Sequence, residues 1–252
     1  MRINKTSVFT IILILNILLN SRPIAAQFSL DFETGVIKTG YNDVRIPGDE
    51  GTLISFSDDL NSISDIFYRI RGEYKIGERS EVLVLIAPLK QTYKGFVNRD
   101  IIFQGETFVT GSQLNATYKF NSYRASYRYK ILNKEKLDIA LGLTIKIRDA
   151  LIGIEGDFDK YSEKKDFGFV PLIGFRVNWQ PDEKFGLLLD GDALAAPQGR
   201  AEDVLLALTY KASEKLTIKA GYRILEGGAD NDVVYTFSMF HYAVVGVNIK
   251  LE

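Results

Sequence analysis

The chain has 252 residues, 46% of them apolar, with 31 basic against 32 acidic side chains, a single His and no Cys. That balance describes a folded protein and lacks the clustered basic charge that nucleic-acid binding requires, so nucleic acid is not expected as a partner. The absence of Cys excludes disulfide scaffolds, thiolate zinc sites, catalytic thiols and lipid attachment at an N-terminal Cys.

Residues 1–26 are expected to be a secretory signal peptide. Arg2 and Lys5 form the basic start, Val8 to Leu19 form a twelve-residue core, and Ile24-Ala25-Ala26 reads as a cleavage site before Gln27. The core is too short to cross a bilayer. Cleavage after Ala26 leaves residues 27–252, with 28 basic and 32 acidic groups. Beyond Gln27 the longest apolar run is Val82 to Leu89, eight residues including Pro88, so any membrane crossing must be made by strands.

The pattern that follows has a period of two, the signature of strands with one apolar face. From Leu137 to Arg148 one face carries Leu137, Ile139, Leu141, Leu143, Ile145 and Ile147, and the other Asp138, Ala140, Gly142, Thr144, Lys146 and Arg148. Short polar turns fall at 77–80, 133–136, 180–184 and 212–215, and longer connections near 42–65, 90–112, 150–166, 194–203 and 226–235. Four short turns and five long loops predict ten strands, with both ends of the barrel domain on the short-turn side. The predicted strands are 27–41, 66–76, 81–90, 113–132, 137–149, 167–179, 185–193, 204–211, 216–225 and 236–251. The fold class is therefore all-β, a ten-stranded antiparallel up-and-down transmembrane β-barrel.

A soluble barrel of lipocalin type, with the faces reversed, shows the same alternation. Small residues on the polar faces, among them Ala140, Gly142, Gly174, Gly221, Ser122 and Ser126, suit a narrow lumen and favour the membrane reading. So do two aromatic groups at opposite strand ends: Tyr74, Tyr129, Trp179, Phe185 and Tyr210 beside the short turns, and Tyr41, Phe120, Tyr123, Phe167, Phe169, Phe237 and Tyr242 toward the long loops. The inward set then contains Arg69, Arg71, Glu73, Lys75, Arg124, Arg128, Lys146, Arg148, Arg176, Asp190, Asp192, Lys219 and Arg223. Charges in a narrow interior must pair, which makes a salt-bridged plug the expectation over a thin path for small solutes.

The stretches YNDVRIPGDEGT at 41–52, ALAAPQGRAEDV at 193–204 and YRILEGGADNDVVYTFSMFHYAVVGV at 222–247 resemble a group of bacterial outer-membrane proteins. Across 27–252 the chain resembles the small, porin-like outer-membrane β-barrel families of Gram-negative bacteria. The resemblance implies a fold and a location in the cell outer membrane, and no activity. It also implies contact with outer-membrane lipid and lipopolysaccharide, and assembly by the barrel assembly machinery. That machinery commonly reads a terminal aromatic, whereas here the last strand ends Ile249-Lys250-Leu251-Glu252.

Chemistry is sparse. His241 sits on the last predicted strand, toward the long loops, with Ser238, Glu226, Asp230 and Asp232 nearby in sequence. An arrangement like that of lipid A deacylases would need Ser238 and His241 to meet, and their opposite parity on one strand prevents it without a bulge. An omptin-like protease would instead set Asp190 and Asp192 against His241 across the barrel mouth. The first long loop carries Asp43, Asp49, Glu50, Asp58, Asp59 and Asp65 against Arg45, an acidic rim that could hold divalent cations. Asp157-Phe-Asp159 and Asp230-Asn-Asp232 lack the remaining ligands of a calcium loop, and no phosphate loop, dinucleotide fingerprint, paired-His zinc motif or nucleophile elbow is present. The expected protein is a non-enzymatic outer-membrane barrel without cofactor, metal or catalytic residues, serving envelope integrity, small-solute passage or surface interaction. An outer-membrane hydrolase using His241 is the alternative.

Overall fold

The computed structural model describes residues 27–62, 65–197 and 199–251, so the expected signal peptide lies outside the described residues. In chain order the strands are β1 (Gln27–Arg45), β2 (Ile54–Ser55), β3 (Asn61–Ser62), β4 (Asp65–Ile76), β5 (Ser80–Ala87), β6 (Lys90–Phe96), β7 (Ile101–Phe103), β8 (Glu106–Phe108), β9 (Gln113–Lys134), β10 (Leu137–Glu155), β11 (Tyr161–Trp179), β12 (Phe185–Ala196), β13 (Gly199–Lys211), β14 (Leu216–Asp230) and β15 (Tyr235–Leu251). Ten of them, β1, β4, β5 and β9 to β15, pair antiparallel with their neighbours in up-and-down order. Closure comes from β1, which pairs with β15 on one edge and with β4 on the other.

The four short turns lie where the polar breaks put them. Gly77 takes a φ of 66°, a left-handed conformation that a residue with a Cβ adopts only at a cost, which is why glycine serves there. In the 180–184 turn the Asp182 carboxylate accepts the backbone N–H of Lys184 and of Phe185, both at 2.8 Å. Those bonds, Phe185's foremost, hold its pKa below the usual carboxylate value.

At the other end the strands run further than the alternation indicated. Residues 150–155 and 161–166, expected to be loop, are strand, and the β10–β11 hairpin closes only at 156–160. The β5 strand also continues. Ala87 pairs with Ser122 and Lys90 with Lys119, so one register crosses Pro88-Leu89 without a slip and carries β6 to Phe96 rather than ending at 90. Pro88, which has no N–H to give, marks the interruption. Further strand pieces β2, β3, β7 and β8 lie within the expected first and second long loops.

A ring of side chains exposed on the outside is apolar, with Ile66 77%, Leu143 68%, Phe169 69% and Leu208 69% accessible. This inverts the usual arrangement of a water-soluble barrel, whose apolar side chains are buried. Most of the proposed rim aromatics point outward, but Phe120 and Tyr242 do not. Tyr242 is buried inside and Phe120 packs against the same interior cluster. Even-numbered residues of β9 and β15 face the lumen, so parity alone places both rings there.

Candidate functional site: a charged belt beneath an apolar cap

The lumen is crossed by a continuous ionic network. Asp190 pairs with Arg71 at 2.9 Å, Arg128 at 2.6 Å and Arg176 at 2.8 Å. Asp203 pairs with Arg69 at 2.8 Å, Arg124 at 2.6 Å and Arg223 at 2.5 Å. Arg124 and Arg128 both reach Asp192, joining the two hubs. Glu33 bridges Arg69, Arg223 and Lys219, and Asp31 accepts from Lys219 at 2.7 Å. Arg176 extends to Glu73 and Glu81, and Arg71 also approaches Glu73.

Seven cations (Arg69, Arg71, Arg124, Arg128, Arg176, Lys219, Arg223) thus meet seven carboxylates (Asp31, Glu33, Glu73, Glu81, Asp190, Asp192, Asp203). Arg128 and Arg223 are each 1% exposed. Desolvating an ion costs several kcal/mol, so only mutual pairing makes this interior tolerable. Gly174 lies inside the belt because a Cβ there would come within 3.0 Å of Asp192 Oδ1 and 3.2 Å of Arg128 Nε. The space between Asp31, Glu33, Arg69, Arg71 and Leu85 has no room for a water molecule.

Parity identified Arg69, Arg71, Glu73, Arg124, Arg128, Arg176, Asp190, Asp192 and Arg223 as lumen residues, and the structure brings these together. Lys146 and Arg148 stand apart. Lys146 is buried with its ammonium 4.4 Å from the Phe120 ring centroid and in no ion pair with a described carboxylate. Arg148 pairs with Asp166 nearer the long-loop end, both partly exposed. Arg176 pairs with Asp190, whereas Arg148 and Arg223 pair with neither Asp190 nor Asp192. Asp31, Glu33, Glu81 and Asp203 were not named beforehand, yet they supply over half the belt's negative charge. Their signal was present: Asp31 and Glu33 alternate with Leu30 and Phe32, the same pattern that exposed the arginines.

Above the belt, toward the long loops, the interior turns apolar. Ile46, Ile54, Phe56, Tyr93, Ile101, Phe103, Phe108, Leu114 and Ile154 are all buried in one cluster that continues down to Tyr118, Phe240 and Tyr242. A bulge at Gly40 lets this happen on β1, where the register slips between Thr39 and Tyr41 and turns Asn42, Val44 and Ile46 inward. The Tyr93 hydroxyl is satisfied by Thr39 at 2.9 Å and Asn42 at 3.1 Å. Each fully buried apolar side chain contributes on the order of 2 to 3 kcal/mol.

Backbone bonds tie the connections into this cap. Thr52 N–H donates to the Ile102 carbonyl at 2.9 Å, Gln104 N–H to Ile46 at 2.9 Å, and Gly48 N–H to Asp232 at 2.8 Å. Arg99 donates to both Asp59 oxygens, at 3.0 and 2.7 Å. This interaction keeps the Asp59 carboxyl below its usual pKa, reinforced by the Ser55 N–H. The acidic first loop is therefore partly structural, and among the described residues no three carboxylate or imidazole groups gather around a point where a cation could sit.

His241 faces outward, its ring stacked on Tyr222 at 5.9 Å with the Tyr222 hydroxyl bonded to Nδ1. Ser238 faces inward and bonds Tyr118 at 2.9 Å. The two lie on opposite sides of the wall, and so do His241 and the Asp190–Asp192 pair. Neither hydrolytic arrangement is assembled around His241. On the same outer face, Glu226 accepts from Tyr41 and pairs with Arg200 at 2.8 Å, and Arg200 lies 4.8 Å from the Phe237 ring.

No family model and no curated relative matches the chain. Solved structures do. The outer membrane protease OmpT from Escherichia coli superposes with a TM-score of 0.58 at 8% identity, covering 89% of this chain and 97% of that one. Ail, the attachment invasion locus protein of Yersinia pestis, gives 0.41 at 10% identity over 89% and 99% of the two chains. The transport unit of the autotransporter AIDA-I from Escherichia coli gives 0.42 at 8% identity over 92% of each. The OmpT superposition shows that this chain shares the closed fold of an outer-membrane barrel, and at 8% identity it shows the fold alone.

Proposed function

We propose that this chain is a non-enzymatic protein of the Gram-negative outer membrane, exported with cleavage after Ala26, that holds a folded cap at the cell surface for interaction with other molecules. The observation that carries this reading is the filled lumen, a charge-neutral belt with an apolar core above it. A protein built for solute passage would keep polar, hydrated space along its whole axis; here the space between Asp31, Glu33, Arg69, Arg71 and Leu85 admits no water. The apolar exterior supports insertion, and outer-membrane lipid and lipopolysaccharide are the partners its chemistry suits. Export and insertion would bring the chain to the barrel assembly machinery. His241 has a ring neighbour rather than a catalytic partner, so no hydrolytic role is assigned.

Two measurements test the reading. Purified envelope run on SDS gels before and after boiling should show a heat-dependent shift, because a closed barrel stays folded in cold detergent. Reconstitution into planar bilayers should give no unitary conductance, and discrete ohmic steps abolished by boiling would overturn the closed-lumen assignment. Recovery of the protein as a detergent-free soluble monomer would overturn the location.

A further inference from the structure

Toward the short turns the lumen opens into a cavity of about 310 Å³, floored by the belt at Arg176 and Glu73. Its size falls at the lower end of small-ligand pockets, about 300 to 1,000 Å³. The belt that bounds it is charge-neutral, but the wall is not. Lys75, Lys130, Lys211 and Lys250 enter it from β4, β9, β13 and β15, against one additional carboxylate, Asp138. Asp138 is committed to Lys130 at 3.2 Å, and Lys211 reaches the solvent-exposed Glu214 at 3.3 Å. Lys75 and Lys250 form no ion pair with a described residue. Asn178 and Asn248 add uncharged hydrogen-bonding groups.

We propose that this vestibule binds a small multivalent oxyanion, a soluble molecule bearing phosphate or carboxylate groups, entering from the short-turn face. Excess positive charge inside a cleft with low-dielectric walls raises the local concentration of anions. Ammonium groups on four strands around one mouth suit a ligand with several anionic oxygens better than a monovalent ion, because each can hold a separate oxygen. The belt closes the far side, so the ligand binds and leaves by the same opening.

The inference goes beyond the surface-presenting role and is tested separately from it. Calorimetric titration of the full barrel in detergent with inorganic pyrophosphate, in a chloride background, should give saturable binding. The double variant Lys75→Gln/Lys250→Gln should weaken it at least tenfold. The double variant Lys38→Gln/Lys90→Gln, on the outer face toward the other end, should leave it unchanged. All three proteins must show the heat-dependent gel shift, which checks the barrel itself. Absence of binding by a protein that shifts, or equal weakening in both double variants, would overturn the site. Micelles doped with phosphatidylglycerol should not displace pyrophosphate, since the cavity lies on the lumen axis; displacement by them would overturn the assignment to a soluble anion.

Discussion

Strand β9 is built by two opposite rules along its length. From Tyr123 to Tyr129 the outward positions are Tyr123, Ala125, Tyr127 and Tyr129, and the inward ones are Arg124, Ser126 and Arg128. From Gln113 to Lys119 the outward positions are Gln113, Asn115, Thr117 and Lys119, and the inward ones are Leu114, Ala116 and Tyr118. Parity never changes between the two, yet the apolar set moves from the outside to the inside. β10 does the same, passing from Leu143 and Ile145 outside to Ile152 and Ile154 inside. The lower region is shaped for a surrounding apolar solvent and the upper one for water. The level at which the sets exchange, Ile147 to Asp149 and Tyr123 to Asn121, marks the outer edge of the lipid-facing band.

The largest break in this comparison comes from the belt, on which the lower region depends. Asp190→Ala leaves Arg71, Arg128 and Arg176 without their shared anion, and loss of one partner from a buried ionic cluster costs about 3 to 5 kcal/mol. Urea unfolding of the refolded barrel in detergent should show the drop, together with a lower temperature for the heat-dependent gel shift. An Asp190→Ala barrel as stable as the parent would mean that the belt's pairing is not what sustains the lower interior. Phe103→Ala in the upper region removes a fully buried ring at about 3 kcal/mol. Its effect should stay local: protease should cut within 97–112 while the gel shift persists. Loss of the shift would show that the cap and the wall unfold as one unit.

Exchanging solvents along one strand gives a smaller and more selective effect. Ala125→Arg and Asn115→Arg both change an outward side chain of β9. A lipid-facing Arg near the membrane midplane costs about 2 to 4 kcal/mol, and a water-facing one costs close to nothing. Urea midpoints measured in lipid vesicles should therefore separate the two variants. Equal midpoints would erase the boundary drawn from the switch in apolar facing.

The lower region was legible in the sequence because its signal is local. Six alternating apolar positions from Leu137 to Ile147 fix a strand, its face and the inward side of Lys146 without reference to anything distant. The same rule extended to Asp31, Glu33 and Asp203 would have supplied three of the four carboxylates missing from the belt's negative half. On β10 and β11 the upper region, 150–155 and 161–166, was read as loop because its alternation is shorter, set among Gly and Asp, and of the opposite sense: Ile152 and Ile154 point toward a core that exists only once residues 46–62 and 97–112 have folded over the mouth. Which cation meets which carboxylate was equally out of reach. Asp190 is 119 residues from Arg71 in sequence, and their contact depends on ring closure rather than on parity.

The smallest effect concerns how the cap is fastened. Arg99 grips Asp59 through both oxygens, and the pair lies near the surface, with side chains 40% and 23% exposed. Solvent limits such a pair to about 0.2 to 1 kcal/mol. The Asp59 carboxyl is lowered from 3.8 in the folded chain, so its contribution is fully present above that value and fades as pH falls through the lower, folded pKa. Protease susceptibility of the 97–112 connection, followed with an acid-active protease, should rise below pH 3.8 more steeply in the parent than in Asp59→Asn, which has no carboxylate to protonate. At neutral pH Asp59→Asn should be cut slightly faster than the parent, because its amide holds Arg99 without charge, and the two should converge in acid. Identical pH profiles for the two proteins would remove the ion pair from the account of how the cap is held, leaving its packing around Phe56, Tyr93 and Phe103 as the fastening.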